Sequence, residues 1–230
     1  MIGGAMKSLF KSGARDLKAK VSKSTDDDEF PTPLGLRIGA AVDVDTLPLR
    51  MHADDLRVDL PEETILIAAQ GYIELGDDTF AHRYYSADDA MIQVLTVAGV
   101  EDHHVKEMTL YVPFKSYYPD GASAWSQWIG RAGKLGAPTF TLEDSTTFDR
   151  VWFDGTEGQA EPVAFTESVY EDPESDDHSK IFHQVMLYGR NLDDGKKNEY
   201  LLVSAESYEA QKTIELMVGV DLEFSSLRVF

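Results

Sequence analysis

The chain has 230 residues, of which 43% are hydrophobic and 10% aromatic, a composition that supports a folded domain and excludes wholesale disorder. It has no cysteine, so no disulfide stabilises it, and its net charge of -20 excludes a main domain that binds nucleic acid, because such a body repels phosphate groups. No apolar run approaches the ~18 residues that a membrane-spanning helix requires. The first basic residues are not followed by the apolar region of a secretory signal, so we expect a cytoplasmic location.

Residues 1–24 differ in charge from the rest of the chain. They carry about +5, whereas the remaining residues carry about −25. On a helix, the apolar side chains of residues 2–21 share one arc and the basic side chains gather on an adjacent face. This pattern predicts an amphipathic helix that contacts an anionic membrane surface. The predicted contact residues are Ile2, Met6, Lys7, Leu9, Phe10, Lys11, Arg15, Leu17 and Lys18.

A disordered basic tail, or a helix that packs on the acidic body, accounts for the same N-terminal residues. Three glycines, at positions 3, 4 and 13, weaken the helix. Residues 25–33 are acidic and then proline-rich, which is typical of a linker. We therefore predict a basic segment over 1–24, a linker over 25–33 and a single β-rich domain over 34–230.

Period-two alternation predicts most of the remaining elements. It indicates strands over 36–44, 56–60, 64–75, 79–85, 90–99, 107–114, 139–142, 148–153, 161–171, 180–190 and 199–205. Helical spacing predicts two short helices, over 121–134 and 207–218, and a short strand closes the chain. The predicted fold is α+β and β-rich, with mostly antiparallel sheets in two meander-like halves, 34–115 and 138–230. The sequence leaves open whether these halves form one sandwich or two packed units.

A faint duplication links residues 64–98 with residues 161–205. Each range contains a strand, an acidic turn and a second strand, and His82 and His183 occupy comparable positions. Arg83, Tyr84 and Tyr85 follow His82 directly. These five residues are the predicted patch for a ligand or partner, although cross-strand packing explains them equally well.

The clearest cluster of metal-binding residue types is EDHH, at 101–104. Zinc and nickel bind imidazoles and carboxylates. Adjacent histidines on an extended segment point in opposite directions, however, which favours a solvated turn. The sequence has no cysteine, no GxSxG, no GxGxxG and no P-loop pattern. We therefore predict no catalytic residue, no metal ligand and no cofactor.

Four segments resemble the YjfK-like family of uncharacterised bacterial proteins, a domain of unknown function. They are PLGLRIGAAVDVDTL (33–47), IELGDDTFAHRYYSADDAMIQV (73–94), EYLLVSAESYE (199–209) and LMVGVDLEFSSLRV (216–229). The resemblance implies no catalytic residues. The family's genes often neighbour those of membrane-associated proteins similar to phage-shock protein A, which implies an accessory role in envelope maintenance or membrane stress.

Three hypotheses about function follow. The first is a non-enzymatic, cytoplasmic protein that visits the inner membrane face through its N-terminus and acts through protein partners. The second is a hydrolase or metal-dependent enzyme with a cleft between the two β halves, using His82, His183 or residues 101–104. The third is a soluble protein-interaction module.

Overall fold

The computed structural model describes residues 31–51, 54–61, 64–192 and 197–230. Within these ranges it has two helices, α1 (Leu47–Arg50) and α2 (Gly121–Ile129). It also has twelve strands: β1 (Ala41–Val44), β2 (Ile65–Gly76), β3 (Thr79–Ser86), β4 (Met91–Val97), β5 (Val105–Tyr117), β6 (Thr139–Thr141), β7 (Thr147–Arg150), β8 (Val163–Tyr170), β9 (Ser179–Leu192), β10 (Lys197–Tyr208), β11 (Gln211–Asp221) and β12 (Leu227–Val229).

Eight of the strands form a closed antiparallel barrel. Around the ring the order is β2, β3, β4, β5, β11, β10, β9 and β8, and β8 pairs with β2 to close it. Strands β2–β5 form one four-stranded meander and β8–β11 form another with the same order. The two meanders are hydrogen-bonded to each other on both sides, through β5–β11 and β2–β8.

The remaining strands extend the sheet outside the ring. Strand β1 joins the start of β2 and carries β12 on its other edge, while β7 joins β9 and carries β6. The loop around β7 is held by Arg150, whose guanidinium donates to the carbonyl oxygens of Gly136, Phe153, Thr156 and Gly158. These bonds satisfy backbone groups that no strand would pair.

Residues 54–60 attach to the outside of the barrel through a buried carboxylate. Glu199 on β10 accepts hydrogen bonds from the backbone amides of Arg57 and Val58 and pairs with Arg190 at 2.6 Å. The alternation at 56–60 predicts a strand, and this prediction is wrong. The amides that a strand would present to a neighbouring strand bind a side chain instead.

The two halves form one closed sheet, and not a sandwich, because β2 pairs with β8 as well as β5 with β11. The prediction of a β-rich, mostly antiparallel fold is confirmed. The helix predicted at 121–134 is present in part, as α2, which ends at Ile129. The helix predicted at 207–218 is wrong. Those residues form the end of β10, a tight turn with Glu209 at φ 51°, and β11, in which Ile214, Leu216 and Val218 alternate as buried residues.

Residues 1–30 lie outside the described ranges, and so does the predicted N-terminal helix with all nine of its membrane-contact residues. Across the part of the chain that is described, none of the helices has the length and apolar character needed to cross a membrane.

Candidate functional site

A row of polar residues crosses the barrel wall on its inner face. The cross-strand pairs Gly71–Arg83, Arg83–Gln93 and Gln93–Thr109 place these four side-chain positions on the same face of the sheet. Arg83 on β3 also interacts electrostatically with Glu206 on β10. Since β3 and β10 are opposite each other in the ring of eight strands, this face points into the barrel.

Glu167 on β8 is the centre of the buried network. Its Oε2 lies 2.8 Å from Arg83 Nη1 and 3.0 Å from His183 Nε2, and its Oε1 accepts a hydrogen bond of 2.7 Å from the Tyr85 hydroxyl. Arg83 Nε donates in turn to Gln93 Oε1 at 3.0 Å. The Glu167 side chain is completely buried, so every partner of the carboxylate is a protein group.

The charges of the network stabilise one another. Burial alone would raise the pKa of Glu167, but the Arg83 charge, His183 and the Tyr85 hydroxyl outweigh it and hold that pKa at about 2. Burial alone would lower the pKa of His183, but its contacts with Glu167 and Glu206 reverse this, and the pKa lies above its ordinary value. The network is therefore an ionised carboxylate paired with the Arg83 guanidinium and with an imidazole whose protonated form Glu167 and Glu206 favour.

Gly71 makes room for Glu167. Strand β2 separates β3 from β8, so Arg83 and Glu167 can meet only across β2. A Cβ atom at Gly71 would lie 1.7 Å from Glu167 Oε1 and 2.8 Å from Glu167 Cδ. The missing side chain is what allows the two charged groups to reach each other.

A hydroxyl, an imidazole and a carboxylate lie next to one another in space in this network. Ser204 Oγ lies 3.0 Å from His183 Nδ1, and His183 Nε2 faces Glu167. Such an order is typical of nucleophilic catalysis. Ser204 is only 4% exposed, and His183 and Glu167 are still more buried, so the hydroxyl has no surface on which a substrate could settle. The three residues link β8, β9 and β10 on the inner face of the barrel.

The structure divides the predicted patch between the two faces of the sheet. Arg83, Tyr85 and His183 converge on Glu167 inside the barrel. His82 and Tyr84 lie on the outer face, because consecutive residues of a strand alternate. His82 is fully buried, bonds Thr96 Oγ1 at 3.2 Å, and burial lowers its pKa to about 4. Neutral and enclosed, it is a core residue.

Sequence reasoning missed Glu167, although a signal was present. The predicted strand at 161–171 places it on the same face as Val163, Phe165 and Val169, where an apolar residue is expected. A single carboxylate among inward-facing apolar residues requires a buried cationic partner. Arg83 and His183 are those partners.

A second carboxylate, Asp221 on β11, lies farther along the same inner face, where it pairs with Thr109. Burial is the main cause that raises the pKa of Asp221 to about 7, with a further contribution from the negative charge of Glu107, while a hydrogen bond with Tyr200 acts against the shift. Its Oδ2 has no hydrogen-bond partner among the described residues. Ionisation of this carboxyl therefore opposes folding.

We expect Asp221→Asn to stabilise the protein in a pH-dependent way. A carboxyl whose folded pKa is raised from 3.8 to about 7 lowers stability progressively between these values, and the full cost is present above pH 7. The substitution should add about 2 kcal/mol to the free energy of unfolding at pH 8 and far less near pH 4. Urea denaturation at the two pH values measures this, and an equal gain at both would contradict the assignment.

The EDHH sequence forms a 3-10 turn between β4 and β5, over Asp102–His104. Glu101 Oε2 lies 2.6 Å from His104 Nδ1, and the rings of His103 and His104 are 3.9 Å apart between centroids. The solvated turn that the sequence favours is present, and because the segment is not extended, the two imidazole rings lie next to each other. The donor atoms of Glu101, His103 and His104 all lie within 4.8 Å of one another.

Comparison with known proteins agrees with the resemblance noted in the sequence. The chain is 29% identical over 203 residues to "Uncharacterized protein YjfK" of Escherichia coli (strain K12), and the match covers 86% of this chain and 90% of that protein. No solved structure matches the chain. A family model described as "Protein of unknown function (DUF2491)" matches residues 18–228. Because this match covers most of its length, the chain belongs to the DUF2491 family of proteins of unknown function.

Proposed function

We propose that this protein is a non-enzymatic accessory protein that visits the inner face of the membrane and acts in envelope maintenance or membrane stress through protein partners. The observation that carries this proposal is the division of charge along the chain. Residues 1–24 carry about +5 and the remaining residues about −25. An anionic membrane attracts the first part and repels the second.

The proposed membrane contact is weak and reversible. Each Lys or Arg close to an anionic surface contributes roughly 1 kcal/mol, and the apolar arc of Ile2, Met6, Leu9, Phe10 and Leu17 adds burial in the headgroup region. The acidic body resists close approach. The protein would therefore lie with residues 1–24 on the lipid and the barrel directed away from it.

A partner for the barrel would be basic. Among the described residues, the loop between β8 and β9 is rich in exposed acidic side chains, with Glu171, Asp172, Glu174, Asp176 and Asp177 within seven residues. Complementary charge steers association and selects the partner's surface. A membrane-associated protein similar to phage-shock protein A, the class that the family resemblance implies, is the first candidate for that partner.

The competing enzymatic hypothesis receives less support from the geometry. His183 is hydrogen-bonded to Ser204 and lies 3.0 Å from Glu167 inside the barrel, and His82 is buried on the outer face of the sheet. The two β halves are hydrogen-bonded along both junctions, at the place where that hypothesis puts a cleft. A purely soluble interaction module shares the acidic surface and differs in having no affinity for lipid.

Co-sedimentation with vesicles distinguishes these functions. We expect the full chain to bind vesicles that contain phosphatidylglycerol and not vesicles of phosphatidylcholine alone. It should dissociate from the anionic vesicles as the salt concentration increases. Reversing three N-terminal charges, with Lys7→Glu, Lys11→Glu and Lys18→Glu, should weaken binding at least ~10-fold. The matched control reverses three charges on the body, at Lys106, Arg131 and Lys180. Absence of binding by the full chain, or equal loss in both triple variants, would overturn the proposal.

A further inference from the structure

We propose that Glu101, His103 and His104 form a binding site for one divalent transition-metal ion, of the class of Zn²⁺ or Ni²⁺, at the turn between β4 and β5. This inference does not depend on the proposed membrane contact. It rests on the geometry of the turn, on the types of donor atoms and on the local charge.

The turn brings three donor side chains to one place. The 3-10 conformation of Asp102–His104 places the two imidazole rings next to each other, with centroids 3.9 Å apart. Glu101 precedes the turn, and its backbone carbonyl accepts a hydrogen bond of 2.8 Å from the His104 amide. Neighbouring ligands of a tetrahedral zinc ion lie about 3.3 Å apart, given metal–ligand distances near 2.0–2.1 Å. Glu101 Oε2 and His104 Nδ1 are 2.6 Å apart and share a proton. Metal binding at both atoms would release that proton to solvent and widen their separation by less than about 1 Å. A rotation of the exposed His103 side chain brings in the third donor atom.

Gly99 fixes the position of the His104 ring. A Cβ atom at Gly99 would lie 2.3 Å from both Cε1 and Nδ1 of that ring, so the imidazole packs directly on the glycine backbone. Gly99 also has a φ of 153°, a conformation that other residues rarely adopt. One of the three proposed ligands is thus held by packing as well as by its contact with Glu101, which reduces the entropy lost on metal binding.

Asp102, the fourth residue of EDHH, has a different role. Its Oδ1 accepts a hydrogen bond of 2.6 Å from the backbone amide of Leu34, which lies in a 3-10 turn at Pro33–Gly35. This bond ties the β4–β5 turn to the start of the described body. The second negative charge beside the site also favours a cation.

The donor set selects the class of metal. Two imidazole nitrogens and one carboxylate oxygen suit zinc, nickel and copper, whereas calcium and magnesium require mainly oxygen ligands. Glu101 and His103 are exposed and His104 is partly exposed, so an ion can reach all three. Water molecules would complete the coordination, as they do at sites with three protein ligands.

Isothermal titration of the metal-free, full-length protein, purified without a histidine tag, tests the proposal. We expect ZnCl₂ and NiCl₂ to bind with a stoichiometry of one at this turn, in the presence of excess MgCl₂. His103→Ala and His104→Ala should each weaken that binding at least ~10-fold, and Glu101→Gln should weaken it to a smaller degree. His178→Ala is the matched control, because His178 is also an exposed histidine beside acidic residues. It should leave the affinity unchanged.

A second measurement separates loss of ligands from loss of folding. The metal-free His103→Ala variant should keep the melting temperature of the metal-free parent, and saturating ZnCl₂ should raise the melting temperature of the parent but not of the variant. Absence of saturable binding by the parent would overturn the proposal. So would Zn²⁺ and Ni²⁺ affinities that are the same in the parent, the His103→Ala variant and the His104→Ala variant.

Discussion

Glu167→Gln should lower the free energy of unfolding by about 3–5 kcal/mol at pH 7, the cost of breaking a buried ion pair from one side. The amide keeps the shape of the side chain but removes its charge. Arg83 and His183 then lose the carboxylate that lies between them, and Glu206, 3.4 Å from His183 Nδ1, is the remaining carboxylate that interacts with both. Urea denaturation, with the slope checked for two-state behaviour, measures the loss.

An exposed ion pair provides the matched control for that substitution. Arg57 and Asp144 are 2.6 Å apart, yet both side chains are more than one-third exposed. Asp144→Asn should therefore change stability by less than ~1 kcal/mol. If Glu167→Gln costs no more than Asp144→Asn, the buried network does not hold the barrel together.

The effect of Glu167→Gln on the free energy of unfolding should depend on pH. Because the folded pKa of Glu167 is about 2, below its ordinary value of 4.5, the stability that this carboxylate contributes is fully present above pH 4.5. It is lost as the pH falls toward 2. The difference in stability between the parent and Glu167→Gln should accordingly be smaller at pH 3 than at pH 7.

Gly71→Ala should cost about 3 kcal/mol, at the upper end of the range for overpacking a core. The added methyl group would occupy the position of Glu167 Oε1. The Glu167 side chain could move away from this methyl group only if its contacts with Tyr85 and Arg83 were broken. The substitution therefore disturbs the whole network. In the Gly71→Ala background, Glu167→Gln should cost less than in the parent, because the two changes act on one set of contacts.

Gly155→Ala is the control for the added methyl group. Gly155 has an ordinary φ, and its Cβ would meet no heavy atom within 4 Å. Its substitution should change stability by no more than ~0.5 kcal/mol. Equal losses for Gly71→Ala and Gly155→Ala, in the same denaturation experiment, would show that Glu167 does not need the space at Gly71.

Local patterns in the sequence predict the strands well and their closure poorly. The alternation at 64–75 and at 79–85 identifies β2 and β3, and the acidic pair between them marks their turn, where Asp77 and Asp78 adopt positive φ. The barrel, however, depends on pairings such as Gln70 with Tyr170, which join residues 100 positions apart. A local pattern does not specify which distant edges meet.

The errors at β11 and in the predicted patch have definite causes. The β10–β11 hairpin turns at Glu209 and Ala210 without the Asn-Gly or Asp-Gly pair that normally marks such a turn, so SYEAQKTIELMV resembles a helix. The patch combined His82 with Arg83, although adjacent strand residues face opposite sides. Applying the two-residue period to the patch would have separated them, but only the three-dimensional ring brings Arg83 and His183 to Glu167.

The junction between β2 and β8 has a consequence for how the molecule opens. Only three residue pairs join these strands, whereas ten or more join β10 to each of its neighbours. Transient unzipping of a closed sheet begins where the fewest backbone bonds must break. Glu167 immediately precedes the three paired residues of β8, and Arg83 pairs with its carboxylate from the far side of β2. The Arg83–Glu167 ion pair therefore contributes to the free energy of local opening between β2 and β8. A weaker pair should make this opening more frequent while the other seven junctions of the ring stay paired.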